Sequence, residues 1–170
     1  PERLREQDME PFRAAVAADV AGVMTAHILY PALDTEQPAT LSRIIVRDLL
    51  RDEIGHKGLI VTDDLEMGAI TRTTTVERAA VAALDVGCDT VLLCGDSVER
   101  HVSVLEAIIR AVEKKTLAVR TVEDALARQR RVKGRFLAGE RPRRPLSGKA
   151  LQARLGTSSH QAVAAEIARA

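Results

Sequence analysis

Gly58-Leu59-Ile60-Val61-Thr62-Asp63-Asp64-Leu65-Glu66-Met67 is the stretch on which the fold turns. Leu59 to Thr62 runs apolar or β-branched without polar alternation and ends on two carboxylates. A short continuous run of this kind reads as a parallel strand covered on both faces, not as half of an exposed antiparallel sheet. A carboxylate pair directly beyond it places at least one acid at the mouth of the sheet, where burial and neighbouring charges tune its protonation.

Two more runs flank it, Val20 to Leu29 upstream and Thr90 to Cys94 downstream, and each of the three is followed by a helical pattern. Ile45, Leu49 and Leu50 recur at helical spacing before Gly55, which predicts a helix from about Leu41 to Ile54. Thr74-Thr75-Val76-Glu77 matches a capping box, followed by a buried stripe of Ala79, Ala80, Ala83 and Leu84 and by Gly87 as terminator. Asp96 reads as the cap of a helix bearing Val98, Val102, Leu105, Ile109 and Val112 on one face. Thr121 starts another, carried by Leu126, Val132 and Phe136.

Strand then helix, three times over, implies right-handed parallel crossovers. The strand-end residues His27, Asp63 and Cys94 are spaced by 36 and 31 residues, near the roughly 31 per unit of an eight-stranded barrel of roughly 250 residues. The predicted class is therefore α/β, with parallel βα units that suit a barrel segment or an open doubly wound sheet. Past Phe136, residues 139–149 are rich in Arg and Pro and read as a solvated linker. A helical pattern resumes before the end, with Ser158 and Gln161 at capping-box positions.

Composition narrows the functional classes. Lys and Arg number 25 against 24 Asp and Glu, a net charge of +1, so no global field draws the chain to nucleic acid or an anionic membrane. No apolar run approaches a membrane span, and Pro1-Glu2-Arg3-Leu4-Arg5 is too charged for a secretory signal. Cys88 and Cys94 form no metal-type pair and are too few for a disulfide scaffold, which fits a reducing compartment; both read as buried, inert thiols. There is no phosphate-cradling glycine loop, no zinc spacing and no nucleophile elbow. Beginning without an initiator Met, the chain reads as a piece of something longer.

Ligands of parallel α/β sheets meet the C-terminal ends of the strands. Three classes of function fit the residues found there. Asp63 suits a nucleophile; His27, Asp63 and Asp64 together suit a metal-dependent hydrolase; or the sheet is non-enzymatic and binds a small ligand or partner, with Asp63 as a phospho-acceptor or cap. On the plainest reading of the pair, one Asp caps the next turn and the other is solvated. A His at a strand end reads first as hydrogen-bonded to backbone, and Met67 as core packing.

Beyond these patterns, Val23-Met24-Thr25-Ala26-His27-Ile28, Tyr30-Pro31-Ala32-Leu33-Asp34 and Pro38-Ala39-Thr40-Leu41-Ser42 resemble the sixth strand and following loop of bacterial β-N-acetylhexosaminidases of glycoside hydrolase family 3. Gly58 to Met67 resembles the seventh strand of that family, Gly87 to Leu93 the eighth, and Arg130 to Phe136 its closing barrel helix. The match runs over residues 9 to 137 in order. The resemblance implies a partial TIM-like barrel of about three C-terminal βα units over residues 1–138, a linker at 139–149 and a C-terminal helix at 150–170. Leu155 to Ile167 resembles the helix leading into a second domain in longer relatives.

The resemblance further implies a retaining glycosidase in which Asp63 is the catalytic nucleophile, with His27, Asp64 and Met67 binding substrate. It implies no cofactor and no metal. The substrate it implies is a terminal β-linked N-acetylglucosamine, from N-acetylglucosamine-containing sugars and muropeptides, in cytoplasmic peptidoglycan turnover, with neither nucleic acid nor membrane as partner. The family's acid/base His travels on a Lys-His-Phe-Pro-Gly-like loop that does not occur in these residues, so little glycosidase activity is expected of them alone. Three of eight strands would leave open edges, for which self-association or an unseen remainder of the chain is the expected remedy. His56 stands where the family usually carries Phe, and looser packing is expected there.

Overall fold

The computed structural model describes residues 3–138 and 146–169. Two compact units divide the chain, the first running to Phe136 and the second from Leu137. The first holds a three-stranded parallel sheet in the order β1-β2-β3, with β1 at Gly22–Met24, β2 at Leu59–Asp64 and β3 at Thr90–Leu92. Its α/β class and parallel pairing are as expected. The first and third strands are shorter than their apolar runs: after Met24 only Thr25 N–H continues the ladder, donating to the Val61 carbonyl at 2.8 Å.

Helices fill the crossovers. A helix α1 at Glu10–Ala17 precedes β1, a wide-turned helical segment at Ile44–Glu53 joins β1 to β2, and a short α2 at Gly68–Thr71 with α3 at Val76–Val86 joins β2 to β3. Then come α4 at Val98–Glu113 and α5 at Val119–Leu137. The Ile44–Glu53 segment lies where the helix was expected, but it winds with i→i+5 bonds such as Ile54 N–H to the Leu49 carbonyl. Gly55 and Gly87, at φ +80° and +115°, turn the chain out of their helices in the left-handed region that favours glycine.

The core lies between sheet and helices. Val46, Leu50, Ile60, Ala83 and Cys88 form one cluster, and Leu65, Ile70, Val76, Ala79, Ala80 and Val104 another. Full burial of a residue such as Ile60 contributes about 1.5–3 kcal/mol. The small residues Ala79, Ala80 and Ala83 are buried as their spacing predicts, and they let α3 approach the sheet closely. In α4 four of the five expected residues, Val98, Val102, Leu105 and Ile109, are exposed; the helix packs through Val104 and Ala111, and of the expected face only Val112 joins them, half-buried against the cluster that holds Ala111. Two apolar stripes share this helix, and spacing alone could not tell which one meets α3. In α5, likewise, Ala125 is buried while Leu126 and Phe136 are exposed.

Helix starts are displaced by a residue or two. The caps are Thr75, Ser97 and Thr157, each accepting from the backbone N–H three residues on, and not Thr74, Asp96 and Ser158. At α3, burial of Val76 beside the cap fixes the register, and Glu77 turns outward to accept from the Ser103 hydroxyl at 2.8 Å. The last helix of the first unit starts at Val119, ahead of Thr121.

The second unit contains α6 at Gly148–Gln152 and α7 at Ser158–Ile167, two helices where one was expected, with no buried residue in either. Most of the expected linker, residues 139–145, lies outside the described residues.

Candidate active site

The chemistry-bearing residues converge where β2 ends. Up to Val61 the strand alternates regularly, with Ile60 buried and Leu59 and Val61 half-buried. The register with β3 then slips between Val61 and Asp64, so that one extra residue bulges from β2. The Thr62 hydroxyl fills the gap in the ladder by accepting from Leu92 N–H at 2.9 Å. Asp63 and Asp64 follow the bulge, both half-buried.

The two acids have separate roles. Asp64 is a turn-former: its Oδ1 accepts from Glu66 N–H at 3.0 Å and from Cys94 N–H at 3.2 Å, tying the loop after β2 to the loop after β3. Asp63 accepts only from its neighbour, the Asp64 N–H, at 2.8 Å through Oδ1. Among the described residues no cation pairs with it, and Oδ2 is uncommitted. The residue pattern allowed one Asp to form the turn and the other to stay free, and the geometry assigns these parts to Asp64 and Asp63 respectively.

His27 lies close by, with both ring nitrogens engaged. Nε2 is 2.9 Å from the Asp64 carbonyl and Nδ1 is 2.8 Å from the Thr40 hydroxyl. Thr40 is in turn 2.8 Å from the hydroxyl of Thr25. A carbonyl can only accept, so Nε2 carries the proton toward Asp64, and in the neutral ring Nδ1 accepts from Thr40. His27, Asp63 and Asp64 are thus adjacent but do not form an open ligand set. Among the described residues no group of three or more His, Cys, Asp or Glu side chains is arranged to hold a metal ion.

Two expectations change here. Met67 is 45% exposed just before α2, so it lies outside the core. Cys94 is exposed as well, and slight desolvation followed by the carboxylates of Asp64, Asp63 and Glu66 pushes its thiol above the ordinary value, which disfavours the reactive thiolate. Cys88 is the buried, inert thiol expected, pushed up to about 12 by burial.

Sequence reasoning missed three residues of this region. Thr40 carries no local signal, because its partners are 13 and 15 residues away. Glu66 accepts from Gly95 N–H at 2.6 Å, and a Cβ at position 95 would fall 2.6 Å from the same carboxylate oxygen, so any other residue there would push the Glu66 carboxylate aside. Arg100 stands 4.0 Å from Glu66 and 3.4 Å from Glu77 and links this loop to α3.

At the opposite end of the sheet, Asp89 is buried. Its Oδ2 meets Arg51 and the Ile60 N–H, its Oδ1 accepts from Arg128 at 2.6 Å, and Gln129 binds its carbonyl. The expected looseness at His56 is not seen. The ring is buried at 3% exposure with Nε2 2.9 Å from the Leu59 carbonyl. Burial first, and then the Arg51 charge, pull its pKa below the usual histidine value.

The chain is similar in sequence and fold to proteins of one family. The N-terminal domain model of glycosyl hydrolase family 3 matches residues 1–132. A beta-hexosaminidase of Stenotrophomonas maltophilia is 37% identical over 116 residues, 68% of this chain and 32% of that protein. One from Idiomarina loihiensis is 39% identical over 112 residues, 66% of this chain and 33% of that protein. A family 3 beta-N-acetylglucosaminidase structure from Paenibacillus sp. superposes with a TM-score of 0.83 at 35% identity, over 95% of this chain and 30% of that one. The chain spans about a third of the length of these relatives. With a family model covering most of its residues and solved relatives sharing its parallel sheet, the chain belongs to glycosyl hydrolase family 3.

Proposed function

We propose that this chain carries the nucleophile-bearing part of a retaining β-N-acetylhexosaminidase. The substrate is a terminal β-linked N-acetylglucosamine, and the setting is peptidoglycan turnover in the cytoplasm, with muropeptides among the sugars cleaved. The observation that carries the reading is the uncommitted carboxylate of Asp63 at the C-terminal end of a central parallel strand. Support for the sugar comes from the hexosaminidases and N-acetylglucosaminidases to which the chain is similar.

In a retaining reaction the carboxylate attacks C1 of the sugar as the glycosidic oxygen leaves, giving a covalent glycosyl-enzyme that water then opens. Asp63 supplies the attacking oxygen, and Asp64 keeps the adjoining loops in register. Protonation of an ordinary leaving group needs a second acid, and the 170 residues contain no Lys-His-Phe-Pro-Gly stretch to provide it. A leaving group that departs without a proton isolates the nucleophile's step. The test is therefore incubation with a 5-fluoro-N-acetylglucosaminyl fluoride, followed by peptide mass analysis. The expected result is one glycosyl adduct on the peptide containing Asp63, and none in Asp63→Asn. An unlabelled chain, or an adduct elsewhere, sinks the assignment.

β1 and β3 both present a free edge in the three-stranded sheet, and Met24 on β1 is 60% exposed. Such edges recruit further strands, so we propose that the chain self-associates, to be read as a concentration-dependent mass in sedimentation.

A further inference from the structure

We infer that His27 is a positioning residue for Asp63, holding the end of β2 by its bond to the Asp64 carbonyl at the point where the backbone ladder to β1 has run out. The inference rests on the reading of Asp63 as nucleophile and departs from the expectation that His27 contacts the sugar.

The argument starts from the ladder. On the β1 side the last backbone bond to β2 is Thr25 N–H to the Val61 carbonyl. On the β3 side the register slips between Val61 and Asp64. Beyond that slip β3 holds the strand again, Asp64 pairing with Leu92 and Leu65 N–H donating to the Leu92 carbonyl at 3.1 Å, whereas on the β1 side no backbone bond follows. Side chains replace the missing bonds. Thr62 accepts from Leu92 N–H toward β3, and His27 Nε2 reaches the Asp64 carbonyl from the β1 side.

The imidazole is itself held from behind. Thr40, fully buried, stands between His27 Nδ1 and Thr25, so the chain from Thr25 to Thr40 to His27 to Asp64 fixes both ring orientation and tautomer. With both nitrogens engaged, His27 has none free for a sugar hydroxyl. What it anchors is the Asp64–Leu65 peptide, one unit beyond the Asp63–Asp64 peptide whose N–H is the partner of the Asp63 carboxylate. Release of that anchor would let Asp64 turn and carry with it the N–H that holds the nucleophile, and a displacement of about 1 Å can slow a reaction about 10²-fold.

The experiment uses the full 170-residue chain with His27→Ala, His27→Gln and Thr40→Val variants. Three readouts are taken: the imidazole ¹H–¹⁵N correlations, the rate of Asp63 labelling by the glycosyl fluoride, and hydrogen exchange at the Glu66 and Cys94 amides that Asp64 holds. The wild-type ring is expected to carry its proton on Nε2. His27→Ala is expected to slow labelling about 10²-fold and to speed exchange at Glu66 and Cys94, while the Ile60 amide at the far end of β2 keeps its protection. His27→Gln, whose amide N–H can reach the same carbonyl, is expected to restore both, and Thr40→Val to give a smaller loss in the same direction.

A proton on Nδ1, or labelling and exchange unchanged in His27→Ala, overturns the inference. So does a loss in His27→Ala that His27→Gln leaves uncorrected. If wild-type protein takes no label, the glycosidase reading fails, and exchange at Glu66 and Cys94 still decides the positioning role. If His27→Ala does not fold, the tautomer and the Gln and Val variants decide it.

Discussion

Asp63 and Asp89 stand at opposite ends of one parallel sheet, and their surroundings could hardly differ more. Asp89, at the start of β3, is enclosed by two guanidinium groups and a strand N–H. Asp63, at the end of β2, accepts one local N–H and has an oxygen to spare. A carboxylate whose lone pairs are all used holds structure together. One left uncommitted at a strand mouth is available for chemistry, and burial alone would have ranked the two in the wrong order.

The sharpest way to break this contrast is to remove each charge in turn. Asp63→Asn should lower the rate of covalent labelling by more than about 10³-fold, while urea unfolding shows a change within about 0.5 kcal/mol. Asp89→Ala leaves Arg51 and Arg128 without their shared partner, with Arg51 largely out of water. Breaking a buried pair in this way costs about 3–5 kcal/mol, read as a fall in the urea midpoint or as failure to fold. Near-equal losses of stability in the two variants would erase the distinction.

A smaller effect tests the mouth end, where α3 begins. Thr75→Ala should cost about 1 kcal/mol by removing the hydroxyl that caps Arg78 N–H, and Thr74→Ala much less. The reverse result would put the cap back where the capping-box pattern placed it.

The smallest effect expected lies near the other end and depends on pH. Burial holds the folded pKa of His56 below its ordinary 6.5, so the unfolded chain takes up the proton first. The stability tied to this ring is complete above about pH 6.5 and is lost as pH falls toward the folded value. Urea midpoints at about pH 7.5 and about pH 5 should show that loss in wild type, and His56→Phe should show less of it. An equal acid loss in both proteins would clear His56 of the effect.

Much of this was legible in the sequence because it is local. The apolar run from Leu59 to Thr62, the alanine stripe of α3 and the glycines that end the helices each act within a few residues. So does the placing of two acids after that run, although β2 extends through both of them. The division of labour between Asp63 and Asp64 was not legible. It is set by a bulge in β2 and by Cys94, thirty residues away. The stripe of α4 misled because that helix is apolar on two sides, and only the position of α3 decides between them. Thr40 and Asp89 stayed hidden for a related reason, since the partners of Thr40 are 13 and 15 residues away and Arg51, a partner of Asp89, comes from another βα unit.

Arg51 lies in the first βα unit and Asp89 and Arg128 in the third, and none can be exchanged without disturbing the other two. Anyone recombining segments among relatives to build hybrid barrels should keep all three from one parent. A crossover that separates them strands a buried ion, and one inside α4 does so by parting Asp89 from Arg128.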